Sequence, residues 1–461
     1  MRKQLLFLLI CCISVSVCAQ KQTKPLDKLQ QEFVDLRFGM FIHFNIPTFM
    51  DDDWADPDAS PAIFNPVKLD CGQWARTAKA ANMTYGCLTT KHHSGFCIWD
   101  TKTTDYNNVK SSPFKRDVVK EYADAFRKEG LEVMLYFSIL DTHHKIRPGH
   151  ITPQHVEMIK DQLTELLTNY GEINALVIDG WDAPWSRISY DDIPFEDIYY
   201  LVKSLQPNCL VMDLNAAKYP ADLLYYTDIK SYEQGAGQHI SKDSNTLPAL
   251  SCLPINTAWF WKPDFPTTPV KSPEFIVNEN IVPFNEVYCN FILNAAPNRD
   301  GLIDDNAVKA FLSVGKMWKH AGPVKKLPEF DAPVISSNIA KWKPTNSSWS
   351  EDMHIMDFAN DDVFSTAWQS NRSVKQPWFE IELDKAEQAI NLITITQMHI
   401  KRYKLEYFHN NEWHTIFSGV NDKPHTIIHR FNRVWASKVK ISIEEFSAPP
   451  AIGEFAAYNE R

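Results

Sequence analysis

Residues 173–179 read INALVID, an apolar run that ends on an acidic residue and is followed by Gly180 and Trp181. Near-continuous apolar runs of this length are typical of strands buried on both faces of a parallel sheet. Residues 173–179 therefore predict one strand of such a sheet. Similar runs occur on either side of it: FGMFIHF (38–44), TYGCLTT (84–90), LEVMLYFS (131–138), CLVMD (209–213) and YYTDIKSY (225–232).

Amphipathic stretches of helical length separate these strands, at residues 70–82, 117–130, 154–170 and 194–205. The first two begin with aspartate, a favoured N-cap, and Gly130 is placed to end the second. Repeated strand–helix units over residues 38–320 predict a (β/α)8-like, TIM-type barrel. A doubly wound parallel sheet is the alternative, because periodicity alone does not separate the two folds.

The pattern changes near residue 322. We expect a catalytic domain over residues 20–325 and a Pro-, Ser- and Lys-containing linker over 326–348. Residues 349–461 carry short alternating strands with a hairpin turn at Asn410-Asn411, which predicts an antiparallel β-sandwich. The predicted strands are PWFEIEL (377–383), INLITITQ (390–397), KRYKLEYFH (401–409), EWHTIFSG (412–419) and SKVKISIEE (437–445). The fold class is α/β followed by all-β.

The N-terminal residues MRKQLLFLLICCISVSVCAQ combine a basic start, an apolar core and a small-residue cleavage site. This pattern predicts a signal peptide over residues 1–19 and export to the periplasm or the medium. A lipid anchor through Cys18 is the alternative, which Val17 disfavours because lipoprotein processing prefers a small residue there. No later stretch is apolar over the length of a membrane span.

Composition and net charge indicate which class of molecule the protein binds. The chain has 461 residues and a formal net charge of −10, with no basic patch that indicates nucleic acid. A neutral substrate fits best, and oligomeric state stays open. The six cysteines beyond the signal form no CxxC pair and are expected to be buried thiols.

Polar residues stand where the predicted barrel strands end. His43 ends the first strand, His92 and His93 follow the second, and Asp179 ends the fourth. In a parallel barrel these ends face the active site. An aspartate after a strand often caps the next helix, but that helix begins near Pro194, too far from Asp179.

Five segments resemble the α-L-fucosidases of glycoside hydrolase family 29. They are RFGMFIHFN (37–45), CLTTKHHSGFCIWDTK (87–102), YNNVKSSPFKRDVVKEYADAFRKEGLEVMLYFS (106–138), NALVIDGW (174–181) and FILNAAPNRDG (291–301). They cover about residues 30–320 in the family's order. The resemblance implies a retaining glycosidase that acts on the terminal fucose of a fucosylated oligosaccharide or glycoconjugate.

The resemblance also implies roles for individual residues. Asp179 is the expected nucleophile. We expect the other implied residues to contact the sugar: His43, His92 and His93 through hydrogen bonds, and Trp54, Trp99 and Tyr136 around the ring. The active-face loops add Trp181 and Trp259 as expected aromatic contacts, because neutral sugars stack on exposed aromatic rings.

The second carboxyl group, the acid/base, is less clearly marked. Glu233 is the preferred candidate, since it follows a predicted strand and precedes a Gly-containing loop; Asp228 and Glu274 are the alternatives. The chain departs from the family at Leu250, where many relatives carry Glu. It departs again at Asp53, where relatives often have Glu before the tryptophan.

No metal or cofactor is predicted for the barrel. Zinc held by His43, His92, His93 and Asp179 is the alternative. It is disfavoured because adjacent histidines at a strand end are expected to point to opposite sides. The last domain resembles discoidin-type, galactose-binding-like sandwiches in DFANDDVFSTAWQSN (357–371), QPWFEIEL (376–383) and WASKVKISI (435–443). Such a module binds sugar or braces the barrel, and Asp361 with Asp362 is a candidate structural calcium site.

These observations predict an exo-acting retaining α-L-fucosidase. The long aromatic loops after strands four and six resemble the α1,3/4-linkage branch of the family, which implies α1,3/4-linked fucose as the substrate. A fucosylated-glycan-binding protein without activity is the rival from another class. An enzyme of the same fold that acts on a related sugar such as L-galactose is the second rival.

Overall fold

The computed structural model describes residues 23–461. Its parallel strands are β1 Phe38–Ile42, β2 Tyr85–Lys91, β3 Glu132–Ser138, β4 Ala175–Asp179, β5 Leu210–Asp213, β6 Lys230–Glu233, β7 Ala249–Pro254 and β8 Cys289–Ala295. They lie in the order β5-β4-β3-β2-β1-β8-β7-β6, so that β1 pairs with both β2 and β8. This order is that of a nearly closed (β/α)8 barrel, which confirms the predicted fold class and excludes the doubly wound sheet.

The helices lie outside the barrel strands and match the predicted positions where a prediction was made. They are α1 Leu26–Leu36, α2 Cys71–Ala80, α3 Asn108–Ser111, α4 Val118–Lys128, α5 Pro153–Asn169, α6 Phe195–Leu205, α7 Pro273–Phe275, α8 Val282–Glu286 and α9 Asp305–Met317. Asp70 caps α2 by accepting the Gln73 N–H at 3.0 Å, and Asp117 caps α4 by accepting the Lys120 N–H at 2.8 Å. A π-helical stretch, Ile276–Ile281, joins α7 to α8.

The edge strands β5 and β6 share no backbone ladder. Side chains of the preceding segment join them instead: the Asp228 carboxylate accepts the Val211 N–H at 2.9 Å, and Thr227 Oγ1 accepts the Asp213 N–H at 3.2 Å. The predicted strand 225–232 therefore starts late, at Lys230, because residues 227 and 228 are bonded to β5. Asp228 closes the barrel.

The C-terminal domain is antiparallel, as expected of a discoidin-like sandwich. Its strands are β9 Thr345–Ser347, β10 Trp368–Gln369, β11 Trp378–Glu382, β12 Gln388–His409, β13 Glu412–Val420, β14 Thr426–Ala436 and β15 Lys438–Tyr458. The predicted strands 390–397 and 401–409 are one strand, β12, interrupted by register shifts. The hairpin at Asn410 and Asn411 is confirmed by their positive φ angles of 50° and 65°. β14 was not predicted.

The two domains are joined by hydrogen bonds and by a shared apolar core. Val334, which lies in the predicted linker, pairs with barrel residues Leu224 and Tyr226 through backbone bonds of 2.9 and 3.0 Å. Leu392 and Tyr458 of the sandwich belong to the same buried cluster as the barrel core. The sandwich is therefore held against one side of the barrel.

The predicted signal peptide and Cys18 lie outside the described residues. Within residues 23–461, no helix combines the length and apolar character needed to cross a membrane. The six cysteines of this range are free and buried, as expected from their sequence context.

Candidate active site

A cavity of about 260 Å³ opens at the C-terminal ends of the barrel strands. Its walls combine carboxylates, imidazoles and aromatic rings with a few small or apolar side chains. The lining residues are Phe41, His43, Asp53, Trp54, His92, His93, Tyr136, Asp179, Trp185, Leu214, Glu233, Gly235, Ala236, Cys252 and Trp259. Eight of the ten predicted site residues are among them, so the residues that the strand-end reasoning selected lie together in one cavity.

Asp179 ends β4 and is almost fully buried. Its Oδ2 accepts the Tyr136 hydroxyl at 2.6 Å, and its Oδ1 accepts the Asn215 side-chain amide at 3.1 Å. The next residue, Gly180, has φ of +119°, and a Cβ there would lie 2.8 Å from the Ile139 side chain. Only glycine permits the turn that brings Asp179 to the cavity.

Glu233 ends β6 and lies opposite, also on the cavity wall. Its Oε1 accepts the indole N–H of Trp259 at 3.2 Å. The two carboxyl groups therefore differ in their partners: Asp179 has two side-chain donors, whereas the structure gives Glu233 one within the described residues.

Burial raises the pKa of Asp179 to about 6, and the bonds from Tyr136 and Asn215 oppose that rise. Burial, and then the negative charge of Asp179, raise the pKa of Glu233 to about 7. Near pH 6.5 the pair favours an ionised Asp179 beside a protonated Glu233, the division of roles that glycoside hydrolysis requires.

Three histidines form another wall. Burial lowers the pKa of His43 to about 4 and of His93 to about 3, and it lowers the pKa of His92 well below its usual value. All three are therefore neutral at pH 7. A neutral imidazole offers one donor and one acceptor, which suits recognition of a hydroxyl group.

Hydrogen bonds to Asn294 and Ser138 fix the tautomers of the His43 and His93 rings. Asn294 Oδ1 accepts a hydrogen bond from His43 Nδ1–H at 2.7 Å. Ser138 donates its hydroxyl hydrogen to the Leu140 carbonyl, so it accepts from His93 Nδ1–H at 2.8 Å. The Nε2 atoms of His43 and His93 are then acceptors, and His93 Nε2 lies 3.7 Å from Asp179 Oδ2.

Aromatic side chains form the rim. Trp54 stacks on His93 with ring centroids 4.7 Å apart, and Trp185 meets Trp54 edge-on at 5.3 Å. On the opposite side, the Asp53 carboxylate accepts the backbone N–H groups of Trp259 and Phe260 at 3.1 and 3.3 Å. Asp53 thus joins the loop after β1 to the loop after β7 and holds Trp259 in place beside Glu233.

Two predicted contacts need correction. Trp99 is fully buried, and its indole N–H donates to Glu165 of α5 at 2.9 Å. Trp181 is also fully buried and donates to the Ile193 carbonyl at 2.8 Å. Both rings pack beneath the loops that carry them, because their N–H groups find partners there. They brace the site without lining it.

The alternative acid/base residues lie away from the cavity. Asp228 is buried between β5 and β6 and pairs with Lys203 at 2.8 Å. Glu274 is exposed in the short helix α7. Neither lines the cavity, so of the three acid/base candidates Glu233 is the one that shares the cavity with Asp179.

Sequence reasoning missed Asn215 and Asn294. Asn215 follows β5 and Asn294 lies in β8, so both obey the strand-end rule that located the histidines. They were missed because an asparagine is not by itself a chemical signal, and because β8 was not identified as a strand. Trp185, an aromatic residue of the active-face loop after β4, lies six residues beyond Asp179 and lines the cavity.

Within residues 23–461, no group of three or more His, Cys, Asp or Glu side chains is arranged to hold a metal ion. The calcium site predicted at Asp361 and Asp362 fits poorly. Asp361 accepts the Thr366 hydroxyl at 2.9 Å, and Asp362 pairs with the Lys341 ammonium at 3.1 Å. A cation there would face the positive charge of Lys341.

Comparison with known proteins agrees with this geometry. The sequence model of the alpha-L-fucosidase family matches residues 14–323, about two thirds of the chain. The chain belongs to the alpha-L-fucosidase family of glycoside hydrolases. A second model, that of the F5/8 type C domain, matches residues 338–455 and identifies the discoidin-like sandwich.

Relatives of this fucosidase-family chain occur in plants and in animals. Alpha-L-fucosidase 1 of Arabidopsis thaliana is 27% identical, and the match covers 92% of this chain and 85% of the plant protein. Human tissue alpha-L-fucosidase is 26% identical over 62% of this chain and 66% of its own length.

A solved structure, of a putative alpha-L-fucosidase from Bacteroides thetaiotaomicron, has a TM-score of 0.52 at 24% identity. That likeness covers 95% of this chain and 98% of the other. At this identity it bears on the fold alone.

Proposed function

We propose that this chain is an exo-acting, retaining α-L-fucosidase with Asp179 as nucleophile and Glu233 as acid/base. The observation that carries the proposal is the pair of carboxyl groups in one small cavity, one held by two donors and the other protonated near neutral pH. Membership of the alpha-L-fucosidase family indicates that the sugar is fucose. The two carboxyl groups are the proposed nucleophile and acid/base.

In the first step, Asp179 attacks the anomeric carbon of fucose while the bond to the leaving oxygen breaks and Glu233 gives that oxygen its proton. The product is a fucosyl ester of Asp179 and a free glycan. In the second step, Glu233 removes a proton from water, which attacks the same carbon. Fucose leaves with its original anomeric configuration, and Asp179 returns to the carboxylate.

The size of the cavity supports exo action. A volume of about 260 Å³ is small beside the clefts of about 300–1,000 Å³ that hold drug-sized ligands. Trp54 and Trp185 stand at its rim, so one terminal sugar enters and the rest of the glycan stays outside. Fucosylated oligosaccharides or glycoconjugates are the proposed substrates, with α1,3/4 linkages preferred and the enzyme exported to the periplasm or the medium.

The first test is fucose release from a panel of α1,2-, α1,3/4- and α1,6-fucosylated oligosaccharides, followed by NMR assignment of the first-formed anomer. We expect α-fucose first, loss of release in Asp179→Asn, and strong loss in Glu233→Gln. Glu274→Gln is the matched control, an exposed glutamate changed in the same way, and should behave like the wild type.

Three results would contradict the proposal. Initial release of β-fucose would make the enzyme inverting, and faster cleavage of an α-L-galactoside than of the fucoside would change the sugar. Glycan binding without release from any substrate would favour the non-catalytic binding protein.

A further inference from the structure

A second and larger concave site lies between the barrel and the sandwich. This interdomain groove has a volume of about 970 Å³ and is lined on the barrel side by Asp182, Lys218 and Asp222 and on the sandwich side by Val363, Thr396 and Met398, among others. We propose that it binds the neutral oligosaccharide to which the terminal fucose is attached. This inference rests on the proposed function, because it names the rest of the substrate that the small cavity cannot hold.

The groove lies beside the active site. Asp182 is three residues beyond Asp179, and the loop that starts there also carries Trp185, which lines the small cavity. Similarly, Leu214 lines the small cavity and Lys218, four residues later, lines the groove. The loops after β4 and β5 therefore form the partition between the two sites, and a glycan that leaves the cavity over this partition enters the groove.

Hydrogen bonds between the barrel and the sandwich fix the two walls of the groove relative to each other. Asp222 of the barrel accepts both the backbone N–H and the hydroxyl of Thr426 in the sandwich, at 2.9 and 3.0 Å. Nearby, the Tyr225 hydroxyl donates to Thr394 Oγ1 at 3.3 Å. A site that exists before the ligand arrives avoids the cost of ordering two domains on binding.

The lining suits an uncharged sugar chain. Val363 and Met398 are 44% and 48% exposed, so they offer apolar surface to the C–H faces of sugar rings. Ser365 and His425 are exposed on the same lining and offer polar side-chain groups that can bond to sugar hydroxyl groups.

Charge selects against acidic glycans. The groove carries three carboxylates. Asp182 pairs with Lys218 and Asp362 pairs with Lys341, so within residues 23–461 Asp222 is the lining carboxylate that makes no ion pair. A sialylated or sulfated chain would meet a net negative wall, and like charges brought together without compensation are unfavourable. We therefore expect neutral oligosaccharide chains to bind better than acidic ones.

Thiol labelling tests the groove without relying on a destabilising substitution. The six cysteines of residues 23–461 are buried, so Val363→Cys introduces a reactive thiol on the groove wall. Val420→Cys is the matched control, because Val420 is also an exposed valine of the sandwich, 59% exposed, but does not line the groove. Each variant is assayed before and after reaction with a bulky fluorescein maleimide, and wild type treated with the reagent reports on the native thiols.

The first readout is binding of a neutral tetrasaccharide of galactose and N-acetylglucosamine, without fucose, measured by calorimetry. It needs no catalysis. Labelling Val363→Cys should weaken binding by about tenfold or more, equivalent to about 1.4 kcal/mol, whereas labelled Val420→Cys should bind as before. Absence of binding to unlabelled protein, or equal binding before and after labelling of Val363→Cys, overturns the groove proposal.

The second readout is kcat/KM for the fucosylated form of the same tetrasaccharide and for an aryl α-L-fucoside. The label on Val363→Cys should lower kcat/KM for the fucosylated tetrasaccharide but not for the aryl fucoside, because the aryl group is too small to reach the groove. An equal fall in kcat/KM for both substrates overturns the proposal. If wild type hydrolyses neither substrate, the proposed function fails, and the binding measurement still decides on the groove.

Discussion

Replacing Tyr136 with phenylalanine removes one hydroxyl group from the candidate active site. That hydroxyl donates to Asp179 Oδ2 at 2.6 Å, the shorter of the two side-chain hydrogen bonds that hold this carboxylate. The benzene ring of the variant fills the same space, so the packing around β3 and β4 should be kept. The change therefore isolates the contribution of one donor to the ionised form of Asp179.

The magnitude follows from the charge on the acceptor. A hydrogen bond to a charged group contributes about 1.5–3 kcal/mol. At about 1.4 kcal/mol for each pKa unit, its loss should raise the pKa of Asp179 by about 1–2 units from its present value. Below this pKa the nucleophile is protonated, so kcat/KM at pH 5 should fall by roughly 10- to 100-fold. The loss should be smaller near neutral pH.

The assay is the pH profile of kcat/KM with an aryl α-L-fucoside between pH 4 and 9. Tyr85→Phe is the matched control, because the buried Tyr85 hydroxyl lies in the same barrel and donates to the neutral Asn290 side chain at 2.8 Å. That variant should lose stability but keep the acidic limb of the profile. An unshifted acidic limb in Tyr136→Phe, or the same shift in Tyr85→Phe, would refute the reasoning.

Three further predictions follow from buried carboxyl groups. Glu233→Gln should remove the basic limb of the pH profile, whose pKa lies at about 7, and should impair substrates with poor leaving groups far more than activated aryl fucosides. Asp213, whose pKa burial raises to about 7, favours folding while it is protonated and loses that contribution as pH rises from about 4 through 7. Asp213→Asn should thus equal wild type in urea unfolding at pH 4 but be more stable by about 2–4 kcal/mol at pH 8, and a constant difference would contradict this. Asp228→Ala removes the carboxylate that pairs with Lys203 and accepts the Val211 N–H, so it should lower the free energy of unfolding by about 3–5 kcal/mol. A loss below 1 kcal/mol in the same unfolding assay would show that Asp228 does not close the barrel.

Sequence periodicity was sufficient for the first half of the barrel. Strands β1 to β5 are apolar runs separated by amphipathic helices, and the residues at their C-terminal ends therefore identified His43, His92, His93 and Asp179 as neighbours. Strands β7 and β8 were less visible because polar residues interrupt them. Asn290 and Asn294 lie within β8, buried, because their amides bond to other strands and loops of the barrel.

The direction of individual rings could not be predicted from the sequence. Trp181 and Trp185 lie four residues apart in one loop, yet Trp181 is fully buried and Trp185 is exposed at the rim. A strand has a side-chain period of two and a helix of 3.6, but a loop has no fixed period. Which tryptophan faces the cavity is decided by tertiary hydrogen bonds, such as that from Trp181 to the Ile193 carbonyl.

The electrostatic character of the cavity follows from the same packing. Its lining residues include three carboxylates and three histidines but no lysine or arginine, and burial keeps the histidines neutral. Lys262, which does not line the cavity, pairs with the lining residue Asp53 at 3.0 Å. Asp179 is therefore held by neutral donors, which leaves its negative charge uncompensated when a neutral sugar binds.

Such a cavity stabilises a bound ligand most strongly when positive charge develops on the ligand. The transition state of glycoside hydrolysis has oxocarbenium character, so positive charge develops at the anomeric carbon while Asp179 is still ionised. The attraction is stronger in a buried site than in water and is absent with the neutral substrate, so it stabilises the transition state selectively. A permanent cation beside Asp179 would lower its pKa and also cancel this attraction. The raised pKa of Asp179 is thus a consequence of the same arrangement that should accelerate the reaction.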